Sequence, residues 1–409
     1  MKRKILIISI LLLGMSVFAQ NMNMSLMLRD YQRPEGSFTD RLAILEAVRD
    51  EGIIGIGDFY HEALQFFLLR ASDIRSIEDR RAAEASARIL AQGLGEERYR
   101  EAAQDLWQLV LLFDVVRDVN QGLEMQDALI ALGQIGAIEF LPHIIQRLDD
   151  LNTQPLTDIE TRRRIQRAVV GCVFALEHLA DPLGFRPVFF VSIGAYDPSI
   201  KAMASVALPN IAEDPSDIII GIIQNPSNNP DIKNEAFHEM LRTNAPPTSI
   251  ARVAAAALET GWYFSTTNVA QQRILGEMRK AAIDAIRIYG AASNSIYPDL
   301  RRSYFNNYNS TSPDMQEIGK TLDTLSALGT DESVRLLLEI IRGLQDRRQV
   351  GPWRVDRERA IYEYALIALG SSGTTMSDAI VLLNNLQHAS EFTWTEQSWA
   401  TNALRGLGL

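Results

Sequence analysis

The chain has one cysteine, Cys172, in 409 residues, so no internal disulfide can hold it together. Aromatic residues make up only 8% of the sequence, while hydrophobic residues overall make up 47%. The core must therefore be built largely of Ala, Leu and Ile, which suits closely packed helices. Histidines are also few. His61, His143, His178, His238 and His388 each fall on a separate expected helix or helix end. No HExxH pair occurs. The adjacent His61 and Glu62 point about 100° apart on a helix, so no metal-ligand spacing is present. GxSxG elbows and GK[ST] phosphate loops are absent as well. The glycines of GIIGIGDF, over 52–59, have no strand before them and read as a turn between helices. Acidic residues are scattered, and no carboxylate pair stands out for acid–base work. No catalytic residue, metal or cofactor is expected on these grounds.

Positive charge is in short supply. The formal net charge is −11, and removing Lys2, Arg3 and Lys4 with a leader gives −11 − 3 = −14. Such a surface repels phosphate backbones, which disfavours a nucleic-acid role. Long apolar runs are missing too. The opening MKRKILIISILLLGMSVFAQ has a basic start, an apolar core over 5–13, and small residues Val17 and Ala19 before Gln20. That is the pattern of a secretory signal peptide over residues 1–19. Its apolar core is shorter than the ~20 residues a spanning helix needs, so no stable membrane insertion is expected after its removal. The expected location is outside the cytoplasm: periplasmic, or secreted.

What the sequence does contain is helical period. Residues 20–36 show none and read as a flexible leader. From Ser37 the pattern is helical almost to the end. First helices of repeating units are expected near Thr39, Ile77, Leu123, Thr161, Pro198, Asp231, Asn268, Pro313, Val355 and Thr395. Their spacing averages about 40 residues, the period of HEAT and armadillo arrays. The clearest unit runs from Leu123 to Asp149. Leu129, Leu132 and Ile135 keep helical spacing, and Gly133 and Gly136 are expected to punctuate the turn. Phe140, Ile144, Ile145 and Leu148 give the second helix its apolar stripe. A helix pair this small cannot bury both faces alone and must stack on its neighbours. Ile165, Val169, Cys172, Val173 and Leu176 form another such stripe, which places Cys172 in the core as a small hydrophobe.

Ala327-Leu328-Gly329 and Ala368-Leu369-Gly370 echo Ala131-Leu132-Gly133, each followed by a short polar turn and an apolar helix. These residues resemble the short bacterial HEAT repeat. The resemblance is strong over 123–150 and 321–345, fair over 161–224 and 355–388, and loose over 37–120 and 268–308. It implies an all-α solenoid over 37–409, of about nine antiparallel helix pairs with a C-terminal capping helix. It implies no fixed activity, since such arrays are mostly binding scaffolds. The turn cluster Asn225 to Pro230 is a possible soft break, although an ordinary inter-helix loop is the preferred reading there.

Two basic clusters stand out in this acidic chain. Arg162, Arg163, Arg164 and Arg167 open one helix and read as a solvated face. Arg301 and Arg302, with Arg342, Arg347 and Arg348, fall on or just after second helices. Tyr304, Phe305 and Tyr308 lie beside them, and Trp353 and Arg354 follow the next loop. Arg with Tyr and Trp is the composition of interface hot spots. The candidate partner-binding set is therefore Arg301, Arg302, Tyr304, Tyr308, Arg342, Arg347, Arg348, Trp353 and Arg354. The expectation is an exported, non-catalytic scaffold that holds a protein partner on its concave surface. Two alternatives stand beside it. One is an enzyme or small-ligand carrier with a pocket enclosed by the superhelix, and the other is a structural subunit of an envelope assembly.

Overall fold

The computed structural model describes residues 24–117, 121–156, 158–351, 353 and 356–409. The expected signal segment, the first residues of the leader, Arg354 and Val355 lie outside them. Among the described residues there is no strand, and twenty α-helices account for the fold. The chain divides into two compact units, Met1–Ala212 and Glu213–Leu409.

The first unit contains α1 (24–31), α2 (Phe38–Asp50), α3 (Gly57–Arg70), α4 (Ile77–Glu96), α5 (Ala103–Leu112) and α6 (Leu123–Gln134). It continues with α7 (Leu141–Asn152), α8 (Ile159–Leu179), α9 (Phe185–Ile193) and α10 (Pro198–Ile211). The second unit contains α11 (Ser216–Gln224), α12 (Pro230–Arg242), α13 (Pro247–Tyr263), α14 (Val269–Tyr289) and α15 (Tyr297–Asn309). It ends with α16 (Met315–Leu328), α17 (Asp331–Val350), α18 (Asp356–Ser371), α19 (Ser377–Leu386) and α20 (Trp394–Gly406).

The even-numbered helices α2 to α20 are the first helices expected from the periodicity, each starting within two residues of its expected position. Their starts were legible because local chemistry marks them. Ser37, Ser76 and Thr393 close capping boxes with Asp40, Asp79 and Glu396. Asp158, Asn229, Asn268 and Asp314 also cap from the side chain. Each such cap satisfies a backbone N–H that the helix cannot pair internally.

In the first unit, α2, α4, α6, α8 and α10 form a row in which each packs on the next. In the second unit, α12, α14, α16, α18 and α20 do the same. The odd helices α11, α13, α15, α17 and α19 form a parallel series of neighbours. In the first unit, α3, α5, α7 and α9 each lie against the helix that follows, α4, α6, α8 and α10. The second helix of an expected pair therefore rests mainly on the first helix of the next. Polar ties cross the row at several steps. Arg88 of α4 donates to Asp127 of α6 at 2.8 Å, and Asn210 of α10 to Glu177 of α8 at 2.7 Å. Tyr364 of α18 donates to Asp323 of α16 at 2.6 Å.

The rows pack tightly enough to need glycine, and this corrects one expectation. Gly133 does not form the turn; it lies inside α6, where an added Cβ would stand 2.7 Å from Ala175 Cα of α8. Gly171 of α8 faces the Gln126 backbone of α6 in the same way, at 2.9 Å. Gly370 lies inside α18, and its Cβ would stand 2.7 Å from Ala403 Cα of α20. The turn after α6 is made by Gly136, at φ +68°, a left-handed conformation that a side chain disfavours. Of the three Ala-Leu-Gly triplets only Gly329 serves as the helix cap, at φ +57°.

The leader is a second correction. A flexible segment was expected over 20–36, yet 24–31 is helical and Tyr31 is fully buried. Arg41 donates from Nε to the Tyr31 carbonyl at 3.2 Å, and the Tyr31 ring meets Phe66 edge-on at 6.0 Å. A short segment without clear period gains order by docking an aromatic anchor. The Asn225–Pro230 cluster is the connection between α11 and α12, which pack together within the second unit. There Lys233, fully buried, donates its Nζ to the Ile223 and Asn225 carbonyls, capping the end of α11 without a carboxylate partner.

Cys172 is buried, with Val169 and Val173 beside it in the core. Burial pushes its thiol up to about 12. It should therefore resist thiol reagents until the protein unfolds, and fast labelling of native protein would contradict its placement. Gly133→Ala should destabilise by about 1–3 kcal/mol, because the new methyl meets backbone that cannot swing aside. Gly221→Ala, in α11 with open space around its Cβ position, should stabilise by roughly 0.5–1 kcal/mol. Denaturant melts of the two variants check the opposite signs.

Candidate functional site

The nine residues expected to form one partner surface divide into an outer and an inner group, with Arg354 outside the described residues. The outer group stands on α15 and α17. Arg301 is exposed and makes a bidentate pair with Glu339 of α17, its shortest contact 2.6 Å. Its guanidinium also lies 4.6 Å from the Phe305 ring centroid. Arg302 pairs with Asp299 at 3.3 Å and lies 4.4 Å over the ring of Tyr263, at the end of α13. Tyr263 is 62% exposed. Arg342, further along α17, is exposed. α13, α15 and α17 are successive neighbours, so the outer group spans three adjacent helices.

The inner group is part of the core. Tyr304 is buried and stacks on Tyr308 at 5.6 Å, with its phenol pushed well above the ordinary range by burial. Arg347 pairs at 2.9 Å with Glu358 of α18, which is almost fully buried, and lies over the Tyr308 ring. Glu358 also accepts from the Tyr308 hydroxyl at 3.5 Å. Trp353 donates its indole N–H to Glu396 Oε1 at 2.6 Å. Arg348 lies 3.8 Å from the other Glu396 oxygen, with Arg359 3.7 Å from the first. Tyr362 and Phe392, stacked at 5.0 Å, close the cluster beside Trp353.

Glu396 holds this cluster together. Its carboxylate is buried, and burial alone would raise its pKa. The Thr393 N–H, the Trp353 indole and Arg348 outweigh that, and its pKa ends below the ordinary value. An ionised carboxylate with several donors is the stable state of such a site. The inner arginines thus neutralise buried acids instead of facing a ligand. Sequence reasoning missed Glu358 and Glu396 because each lies on a different helix from the arginine it meets. It also missed a related pair: Arg279 of α14 grips Glu317 of α16 with two bonds of 2.9 and 3.0 Å and lies 3.9 Å over Trp262.

Neither a family model nor a curated protein matches the chain. Among the described residues, no helix is long and apolar enough to cross a membrane.

The division into two groups has a measurable consequence. Glu396→Ala should cost about 3–5 kcal/mol, because it strands the Trp353 indole and the partly buried Arg348 that its buried carboxylate holds. Arg301→Ala removes an exposed pair and should cost less than about 1 kcal/mol. Equal losses in thermal or denaturant melts would mean that the outer pair is structural as well.

Proposed function

We propose that the chain is an exported, HEAT-like helical-repeat scaffold that binds an acidic protein partner. The observation that supports this most directly is the outer group. Arg302 lies over Tyr263 and Arg301 beside Phe305 on the neighbouring helices α13 and α15, and exposed Arg342 lies on α17, the next helix of the series. Arg and Tyr supply large, well-oriented contact area at protein interfaces. Helices in a regular series hold such side chains at fixed spacing, so a partner meets a prepared surface at low ordering cost. The rest of this acidic chain repels an acidic partner, which favours docking where arginine is exposed.

The solenoid itself belongs to this reading. Helices that pack on the next but one along the chain are what a stack of HEAT-like units requires. The signal-like opening supports an export route, and a periplasmic or secreted location follows from it. The narrower partner surface differs from the one expected on composition, since Tyr304, Tyr308, Arg347, Arg348 and Trp353 are committed to the core or its edge.

The triple variant Arg301→Glu, Arg302→Glu, Arg342→Glu tests the reading. Co-purification from the native envelope should recover an acidic protein with the parent chain and lose it with the variant, while the helical signal persists. Each arginine contact is worth up to ~2 kcal/mol at such a surface. Association should also slow with added salt, since exposed charge is screened within ~10 Å at 0.1 M. Unchanged recovery in the triple variant would remove the site, and loss of helicity would assign these arginines to the fold.

A further inference from the structure

The first arginine cluster, expected to be a solvated face, lines a cleft of about 690 Å³ in the first unit. α8 contributes Arg163, Arg164 and Arg167, and α4 contributes Arg80 and Arg81. These two segments are far apart in sequence, so only the fold brings them together. The lining acids are Glu84, Asp158 and Glu160. Among the described lining residues, five cations against three acids leave 5 − 3 = +2 in a chain of net charge −11.

Asp158 caps α8, accepting from the Thr161 N–H at 2.8 Å. Among the described residues, Arg81 and Arg163 are exposed and form no ion pair. Arg164 makes one long bond to Thr161 Oγ1, at 3.4 Å, and its Nε is buried without an acceptor. Arg167 donates to the Gln121 carbonyl at 2.9 Å. Arg80 and Arg81 follow the first turn of α4, and Arg163 and Arg164 fall in the second turn of α8.

The chemistry of the lining narrows the ligand. Among the described lining residues no side chain is aromatic, and Ile77 is the single large apolar one. None of these residues stacks a base or buries a hydrocarbon. Guanidinium forks match tetrahedral oxyanions by paired hydrogen bonds. The volume falls in the ordinary ~300–1,000 Å³ range of small-ligand sites. We propose that this cleft binds a compact multivalent oxyanion of the pyrophosphoryl kind, bridged between Arg81 on α4 and Arg163 and Arg164 on α8. The site lies in the first unit and is independent of the partner surface proposed for the second.

Calorimetry on the full chain, with pyrophosphate and with inorganic phosphate as probes, tests this. A flotation assay with vesicles rich in phosphatidylglycerol separates a lipid headgroup from a soluble source. Pyrophosphate should bind saturably and more tightly than phosphate, and added salt should weaken it. The double variant Arg81→Gln, Arg163→Gln should weaken binding about tenfold or more. Its melting temperature without ligand should not change, because both side chains are exposed. Arg162→Gln, exposed on α8 but outside the lining, should leave binding intact. Flotation lost in the double variant supports the site with a headgroup as the anion; saturable pyrophosphate binding alone supports it with a soluble one. If the double variant loses helicity, Arg163→Gln alone carries the same comparison. Saturable binding of neither probe nor vesicle, or an equal loss in Arg162→Gln, overturns the proposal.

Discussion

Close approach of neighbouring even-numbered helices is the constraint on which the rest of the structure depends. Where Gly133 meets Ala175, and Gly370 meets Ala403, backbone lies nearly against backbone. Small residues at those crossings set the interhelical distance, and the distance sets everything the row carries. It allows Ala and Leu, and few aromatics, to fill the core to native density. It also lets medium-length polar side chains such as Asp127, Glu177 and Asp323 reach the next helix of the row. A chain without disulfides, poor in aromatics, can be held together this way where neighbouring helices touch backbone to backbone, as α6 and α8 or α18 and α20 do.

Charge is used in two ways on this frame. In the core of the second unit, Glu317, Glu358 and Glu396 are buried and met by arginines. Removing either partner would leave a charge in a poorly solvated place, so these pairs specify which helix faces which. On the surface, Arg301 with Glu339 is a solvated pair that contributes little to folding, and Arg342 is exposed. Arg302 stands between the two uses: it is half-buried and pairs with the buried Asp299. Where a buried carboxylate stands within reach, as at Arg347 and Arg348, the arginine serves the fold.

The first unit adds a third use, in which arginines of α4 and α8 outnumber the acids among the described residues lining one cleft. An overall acidic chain makes such a concentration of positive charge more selective, because anions find few other places to settle.

The helical class and the starts of the even-numbered helices α2 to α20 were determined by the sequence itself. Caps such as Ser37, Asp158 and Thr393, and stripes such as Ile165 to Leu176, act within a few residues, and local patterns report local physics. The candidate site was legible only in part. Arg301, Arg302 and Arg342 were read with Arg347 and Arg348 as one basic group, and composition could not separate the members that meet buried acids from the rest. That separation depends on Glu358 and Glu396, which approach only when α17, α18 and α20 pack. Tertiary structure likewise decided that Gly133 is a packing residue and Gly136 the turn, since Ala175 lies on another helix. It joined Arg80 and Arg81 to Arg163, Arg164 and Arg167 across a long stretch of chain. Periodicity names the face of a helix that turns inward; only the packed neighbour determines what that face, or the opposite one, will meet.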